Sequence, residues 1–252
     1  MIYTLFSNGI RINVAQSDIQ CCVNELYKDH KPHTVKNTIA FLRKVLKEYR
    51  LDFSFEVNIP RDDEQDIVIP ESDQITKLFE EVKGTDMELP VLCAALMGLR
   101  RSEICGIDRD KDINGNILYI RRSVVYDEKH QPVVKTTKTS KSKRNLRIPK
   151  QIMDILPPEG EPFTKLSPAV ISKRFKEICD RNGYKFTFHK LRHYYASVML
   201  QLGIPDKYAE ERMGHSTNQM LKRVYQHTFS SGMKKISDKI EQFFDEKIGS
   251  PK

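Results

Sequence analysis

The sequence has few cysteines, and they do not stand at the spacing of a disulfide framework or a metal site. The 252 residues include five, at positions 21, 22, 93, 105 and 179. An odd number with two adjacent members and no CxxC motif is typical of neither a disulfide-rich scaffold nor a zinc ribbon. We therefore expect reduced thiols, as in proteins of the cytosol.

Long apolar runs are also missing from the sequence. The most apolar stretch, Leu89 to Leu99, covers eleven residues and contains Pro90, whereas a membrane span needs about 20. The N-terminus lacks the basic and apolar regions of a signal peptide. We therefore expect a buried helix at this stretch, no membrane partner and a place in the cytoplasm.

Acidic residues are absent from one segment, Lys135 to Lys150, which has seven basic residues in sixteen. The chain carries a net charge of +8, and the whole surplus lies after residue 64. A charge run is usually a solvated loop, but Lys, Arg, Ser and Thr together suit phosphate oxygens. We predict nucleic-acid contacts for this run, by Lys135, Lys141, Lys143, Arg144 and Arg147.

A polar, proline-containing segment at 60–66 predicts a boundary between two parts of the chain. Residues 1–64 then form a short helical segment, with one helix at 17–29 and another that starts from an N-cap at Thr34. Residues 65–252 form the larger domain.

The pattern of the larger domain predicts mostly helices with a few short strands. Ser167-Pro168 opens one helix, and Gly183 closes it. The expected fold class is mainly α with a small antiparallel β-sheet (α+β). The predicted helices cover 72–82, 87–97, 168–182, 188–202, 205–213, 217–226 and 232–247, and the predicted strands cover 117–126, 133–138 and 145–148.

Two short motifs bring together side chains that could do chemistry. In Gly98-Leu99-Arg100-Arg101-Ser102-Glu103, Arg100 and Glu103 are three residues apart and could form no more than an ordinary salt bridge. In His189-Lys190-Leu191-Arg192-His193, His189 and Arg192 share a helix face that suits an oxyanion. A zinc pair at i, i+4 is the alternative, but Lys190 stands where a metalloprotease needs Glu.

The order of these motifs is more specific than any one of them. GLRRSE is followed by Lys-Thr-x-x-Ser-x-Arg at 138–144, by HKLRH at 189–193, by Gly214-His215, and ten residues later by Tyr225. Over residues 70–230 this series resembles the catalytic domain of the tyrosine recombinases, the phage integrase family. The resemblance implies that residues 1–64 are a short or truncated core-binding segment, which clamps DNA.

The resemblance also implies a role for each motif residue. Arg100 and Arg192 would hold oxygens of the scissile phosphate, with Glu103 supporting the arginines, and His215 would bond the phosphate. Lys138 would protonate the leaving 5′-oxygen, with Lys135 and Lys141 as alternatives, while His189 would help move the proton of the nucleophile. Tyr225 would be that nucleophile.

The implied activity is site-specific DNA recombination through a covalent 3′-phosphotyrosyl intermediate, with no cofactor, metal or ATP. The implied partners are double-stranded attachment sites and, on DNA, three further copies of a chain that is monomeric when free. The last predicted helix would either pack on its own domain or be exchanged between protomers, and the enzyme would work at a bacterial nucleoid. Two alternatives remain: a type IB topoisomerase-like activity, and an inactive DNA-binding remnant of a mobile-element integrase.

Overall fold

The computed structural model describes residues 2–7, 10–48, 55–59, 68–136 and 143–214, with side chains from residue 16 onward. The chain divides into two compact units, 1–66 and 67–252, which are described separately. The helices predicted at 217–226 and 232–247 lie outside the described residues.

The first unit starts with an antiparallel hairpin of β1 (Ile2–Ser7) and β2 (Ile10–Ala15), which the sequence pattern did not predict. Two helices follow, α1 (Gln16–Asp29) and α2 (Pro32–Glu48). The N-cap predicted at Thr34 is wrong. The helix begins at Pro32, whose fixed φ suits the first helical position, so Thr34 lies inside α2. The role of this unit as a DNA clamp stays a prediction.

The second unit contains seven helices among its described residues. Three predicted helices form with their expected capping residues, because Gly98, Gly183 and Gly214 end them in the left-handed conformation. Two four-residue helices were not predicted. The helices are α3 (Ser72–Val82), α4 (Glu88–Met97), α5 (Arg101–Ile104), α6 (Lys150–Met153), α7 (Pro168–Asn182), α8 (Phe188–Gln201) and α9 (Asp206–Met213).

Its strands form two small antiparallel sheets. One has the order β3-β4-β7, and the other is the hairpin β5-β6. The prediction of one strand over 117–126 is wrong, because the chain leaves the first sheet at Arg121 and enters the second. The strands are β3 (Ile113–Asn114), β4 (Ile117–Ile120), β5 (Arg122–Tyr126), β6 (Pro132–Thr136) and β7 (Arg144–Arg147).

The core of the second unit is built around α4 and α8, which pack against each other. Seven of the ten residues of α4 are buried, in keeping with its apolar sequence after Glu88. A smaller cluster joins α8 to α9 through Tyr195, Met199 and Met213. The expected class, mainly α with small antiparallel sheets, is confirmed. No helix in the described ranges is long and apolar enough to cross a membrane.

Candidate active site

The turn after α4 places Arg100. Gly98 caps the helix in the left-handed conformation, with φ of +66°, and its N–H donates to the Cys93 carbonyl. The chain then reverses, so that Arg100 precedes α5 with its side chain half-buried. A residue without a Cβ is favoured at this φ. Gly98 therefore allows the turn that brings Arg100 into the site.

Glu103 is the centre of the charged groups. Its carboxylate accepts hydrogen bonds from the backbone N–H and the Nη1 of Arg100, at 2.9 and 2.7 Å. It also accepts two bonds from Arg144, at 3.1 Å from Nη1 and 3.0 Å from Nη2. Glu103 is only 3% exposed, so both ion pairs are shielded from water on the carboxylate side.

Arg144, for which a DNA contact was predicted, has a buried side chain. Strand β7 alternates between buried and exposed residues, and Arg144 shares its buried face with Leu146. Its side chain is 3% exposed, because the guanidinium turns inward to Glu103. The burial of Arg144, though not its partner, could be predicted from the sequence, since Leu146 and Ile148 mark the inward positions of a period of two.

Arg192 is brought to the same place by α8, and it is fully buried. Its Nη1 donates to the Gly98 carbonyl and its Nη2 to the Met213 carbonyl. Within the described part of the chain, its Nε has no hydrogen-bond partner. Arg100, Glu103, Arg144 and Arg192 are called the arginine–glutamate cluster below.

Three consecutive carbonyls at the end of α9 each accept a bond from a different arginine. Arg144 Nε donates to Arg212 O at 2.7 Å, and Arg100 Nη2 donates to Gly214 O at 3.0 Å. Between them, Met213 O accepts from Arg192. The last carbonyls of a helix have no partner inside it and attract positive charge. The arginines therefore anchor the end of α9, immediately before His215.

The cluster carries more positive than negative charge. Burial alone would raise the pKa of the Glu103 carboxyl. The hydrogen bonds and charge of Arg144, with the charges of Arg100 and Arg192, outweigh burial and lower this pKa to about 2. Burial, followed by the charge of Arg100, lowers the pKa of Arg192. Three guanidiniums around one carboxylate favour an anion at this place.

His189 lies near the start of α8, one helical turn before Arg192. Its ring packs edge-on to the ring of His193, with the two centroids 5.3 Å apart. The residue is exposed, and it lines a cleft of about 680 Å³ together with Arg100. Partial desolvation of the ring, and then the charges of Arg192 and Arg100, lower the pKa of His189 to about 4. At neutral pH the imidazole is therefore uncharged.

The remaining predicted residues fall into two groups. Lys135, Lys143 and Arg147 are exposed on or beside the strands of the two sheets. Lys138, Lys141, His215 and Tyr225 lie outside the described residues, so their predicted roles stay predictions. In the described ranges, no group of three or more His, Cys, Asp or Glu residues could hold a metal ion.

Comparison with known proteins identifies the family. The family model described as "Phage integrase family" matches residues 70–231, which is more than half of the chain. The chain belongs to the phage integrase family. The resemblance inferred from its motifs is thus confirmed. As a member of the phage integrase family it is a tyrosine recombinase, a DNA strand-transfer enzyme.

Two relatives illustrate the breadth of the phage integrase family. The chain is 27% identical over 271 residues to "Tyrosine recombinase XerC-like" of Caldanaerobacter subterraneus subsp. tengcongensis, a match that covers 87% of this chain and 69% of that protein. It is 30% identical over 163 residues to "Tyrosine recombinase XerA" of Pyrococcus furiosus, covering 60% and 56% respectively. The chain thus spans between half and about two thirds of these relatives.

Solved structures of integrases share the fold. The Tn1549 transposon integrase in complex with transposon right end DNA has a TM-score of 0.67 at 16% identity, over 88% of this chain and 85% of that one. A lambda integrase dimer bound to a COC′ core site has a TM-score of 0.59 at 18% identity, over 85% and 80%. At these identities the likeness concerns the fold alone.

Proposed function

We propose that this phage integrase family member is a site-specific recombinase that cuts and rejoins DNA through Tyr225. The observation that carries the proposal is the convergence of Arg100 and Arg192. These residues come from different segments, yet they donate to the adjacent carbonyls of Gly214 and Met213. Two guanidiniums therefore meet beside His189 and directly before His215.

The charge of the arginine–glutamate cluster supports a phosphodiester as the group that it binds. One carboxylate faces three guanidiniums, and the Nε of Arg192 is a buried donor without a partner among the described residues. A phosphodiester carries one negative charge, which grows on its oxygens as the nucleophile attacks. Preorganised donors lower the barrier by stabilising that charge, and this is the role we assign to Arg100 and Arg192.

The proposed reaction transfers the scissile phosphate from the 5′-oxygen of DNA to the tyrosine oxygen without an external cofactor. The phenolic oxygen of Tyr225 forms a bond to phosphorus, the bond to the 5′-oxygen breaks, and Lys138 gives that oxygen its proton. Lys135 and Lys141 remain alternatives for this lysine. His189, which is neutral at pH 7 because of its low pKa, accepts the proton of Tyr225, and His215 bonds the phosphate. The 3′-phosphotyrosyl bond then allows rejoining by the reverse step.

The partner that we propose is double-stranded DNA with a specific attachment site. Exposed Lys135, Lys143 and Arg147 offer positive charge to its backbone, and relatives have been solved as complexes with transposon DNA and with a core site. We further propose that the protein is monomeric when free and that four protomers assemble on two DNA sites. In this assembly the C-terminal helix is exchanged between protomers, and the enzyme acts at a bacterial nucleoid.

Covalent capture tests this proposal. The protein is incubated with a library of nicked duplexes that have a randomised core, then denatured, and the DNA that remains attached is sequenced. Tyr225→Phe is the matched control, because it removes only the attacking oxygen. We expect attached DNA with the wild type alone, enriched in one sequence.

The other outcomes separate the alternatives. Attachment without sequence enrichment would favour topoisomerase-like relaxation over recombination. If the protein binds DNA but becomes attached to none of the sequences in the library, the result would contradict catalysis and favour an inactive remnant. Equal attachment by Tyr225→Phe would show that another residue is the nucleophile.

A further inference from the structure

We propose that Arg144 is a positioning residue of the active site of this enzyme, a role that rests on the proposed function. It would act through other groups, because it holds in place Glu103 and the end of α9, the two groups that Arg100 itself binds. This differs from the DNA contact that its place in a basic run predicts.

The first support is that Arg144 connects three segments that are distant in sequence. It belongs to β7, its Nη1 and Nη2 bind Glu103 on α5, and its Nε binds the Arg212 carbonyl at the end of α9. These bonds span 41 and 68 residues. A guanidinium has donors in a fixed planar arrangement, so the positions of the carboxylate and of the carbonyl are set relative to each other.

The second support is the contact between Arg144 and Gly214. A Cβ built on Gly214 would lie 2.6 Å from Nη1 and 3.1 Å from Cζ of Arg144. The guanidinium thus lies against the backbone of the residue that precedes His215. The same Gly214 donates no side chain to the site but offers its carbonyl to Arg100. Gly214 is therefore packed against Arg144 and hydrogen-bonded to Arg100.

The third support concerns the charge of Glu103. Of the effects that lower the pKa of the Glu103 carboxyl against burial, the hydrogen bonding and the charge of Arg144 are the two largest. With Arg144 removed, Glu103 would keep only Arg100 as an ion-pair partner among the described residues. The carboxylate would then be free to rotate toward Arg100 and draw its guanidinium away from the phosphate.

The test compares Arg144→Gln with the wild type in single-turnover cleavage of a suicide duplex that carries the captured site. We expect the rate constant at saturating protein to fall about 10- to 100-fold, as for a displaced catalytic group. The affinity for DNA and its salt dependence should remain as in the wild type. A loss of affinity with an unchanged rate constant would overturn the proposal and restore a DNA contact.

Arg109→Gln is the matched control. Arg109 is partly buried and, like Arg144, donates from Nε to a main-chain carbonyl, that of Pro157 at 2.8 Å, but it lies outside the arginine–glutamate cluster. It should lose thermal stability and keep its cleavage rate. If Arg144→Gln slows cleavage no more than Arg109→Gln does, the proposal is wrong.

Arg144→Lys separates folding from positioning. Lysine keeps a positive charge beside Glu103 but lacks the planar group that reaches both the carboxylate and Arg212 O. We expect its melting temperature to return close to that of the wild type while cleavage stays about tenfold slower. Full recovery of cleavage would show that charge alone matters and would overturn the positioning role.

Amide hydrogen exchange decides the proposal independently of activity. Residues 206–214 of Arg144→Gln should exchange faster than in the wild type and in Arg109→Gln, because the end of α9 loses an anchor. Unchanged protection of α9 would refute the role. If the wild type itself forms no covalent adduct with any DNA, the proposed function fails, whereas this measurement still decides whether Arg144 holds α9.

Discussion

The ring of Tyr195 lies against the backbone of Gly98, so close that a Cβ on Gly98 would be 2.5 Å from the Cδ1 atom of the ring. This contact joins the C-terminal end of α4 to the middle of α8. Arg192, one turn earlier in α8, donates to the carbonyl of the same glycine. Gly98 therefore sets how closely the two helices approach, and with it how Arg100 and Arg192 face each other.

Gly98→Ala should destabilise the second unit by at least about 2 kcal/mol, from the cost of an L-residue at positive φ together with the clash against Tyr195. Urea unfolding measures this loss. Gly84→Ala is the control, because Gly84 has a φ of +71° but no atom within 4 Å of a built Cβ. It should cost only about 1 kcal/mol. Equal losses for the two variants would contradict the packing of Gly98 against Tyr195.

Glu103→Gln should lower the free energy of unfolding by about 3 kcal/mol at pH 7, since it breaks buried ion pairs and leaves guanidiniums uncompensated. Asp154→Asn is the control. Asp154 pairs with Lys150 at the surface, where the partners are 57% and 85% exposed, so its loss should be within about 0.5 kcal/mol. A Glu103→Gln protein as stable as the control would contradict the central place of Glu103.

The acid stability of the protein should depend on Glu103. Its folded pKa of about 2 lies below the ordinary value of 4.5, so the folded state prefers the charged form. The stabilisation is complete above pH 4.5 and is lost as the pH falls through 2. Unfolding free energies measured from pH 6 to 2.5 should therefore decline less steeply for Glu103→Gln. Parallel curves for variant and wild type would contradict this.

His189 should titrate with a midpoint near pH 4 in the DNA-free protein, because desolvation and nearby arginines lower its pKa. The unfolded state binds the proton more readily, so this residue removes stability as the pH falls from 6.5 toward 4. Histidine NMR resonances followed against pH measure the midpoint, with His189→Gln to identify the signal. A midpoint at 6.5 or above would contradict the positive surroundings assigned to this ring.

Lys135→Gln and Arg147→Gln should each weaken DNA binding for all sequences alike. If each residue contacts one phosphate, each substitution should reduce the slope of log affinity against log salt by about 1. Fluorescence anisotropy at several salt concentrations measures this slope. Lys165→Gln is the control, since Lys165 is exposed and lies beside Glu161 outside the basic run. Slopes equal to the control would place Lys135 and Arg147 away from DNA.

The parts of the fold that could be predicted are those with local signals. The helix of 87–97 was predicted because it is apolar from Leu89 onward and ends in Gly98, and the helix of 168–182 because Ser167-Pro168 and Gly183 bound it. The break at Arg121 was not predicted, because strand propensity continues across it. Only the pairing of β4 with β7, and of β5 with β6, separates the two strands.

The site could be predicted less completely than the helices. Motif order identified Arg100, Glu103 and Arg192, and the structure brings these three together. The basic run without acidic residues predicts a DNA contact for Arg144, as it does for its neighbours Lys143 and Arg147. Its ion pair with Glu103 depends on a tertiary contact across 41 residues, and no local pattern reports that contact.

The arginines at the end of α9 also determine when the site can form. The carbonyls of residues 212 to 214 are separated from their donors by 68, 21 and 114 positions in the chain. A growing polypeptide that has not yet released residue 214 from the ribosome holds three guanidiniums that can reach Glu103 and the Gly98 carbonyl but not their acceptors at the end of α9. Contacts of such long sequence separation form late in folding. The hydrogen bonds that anchor the end of α9 therefore form only after the segments that contribute the three arginines have been made.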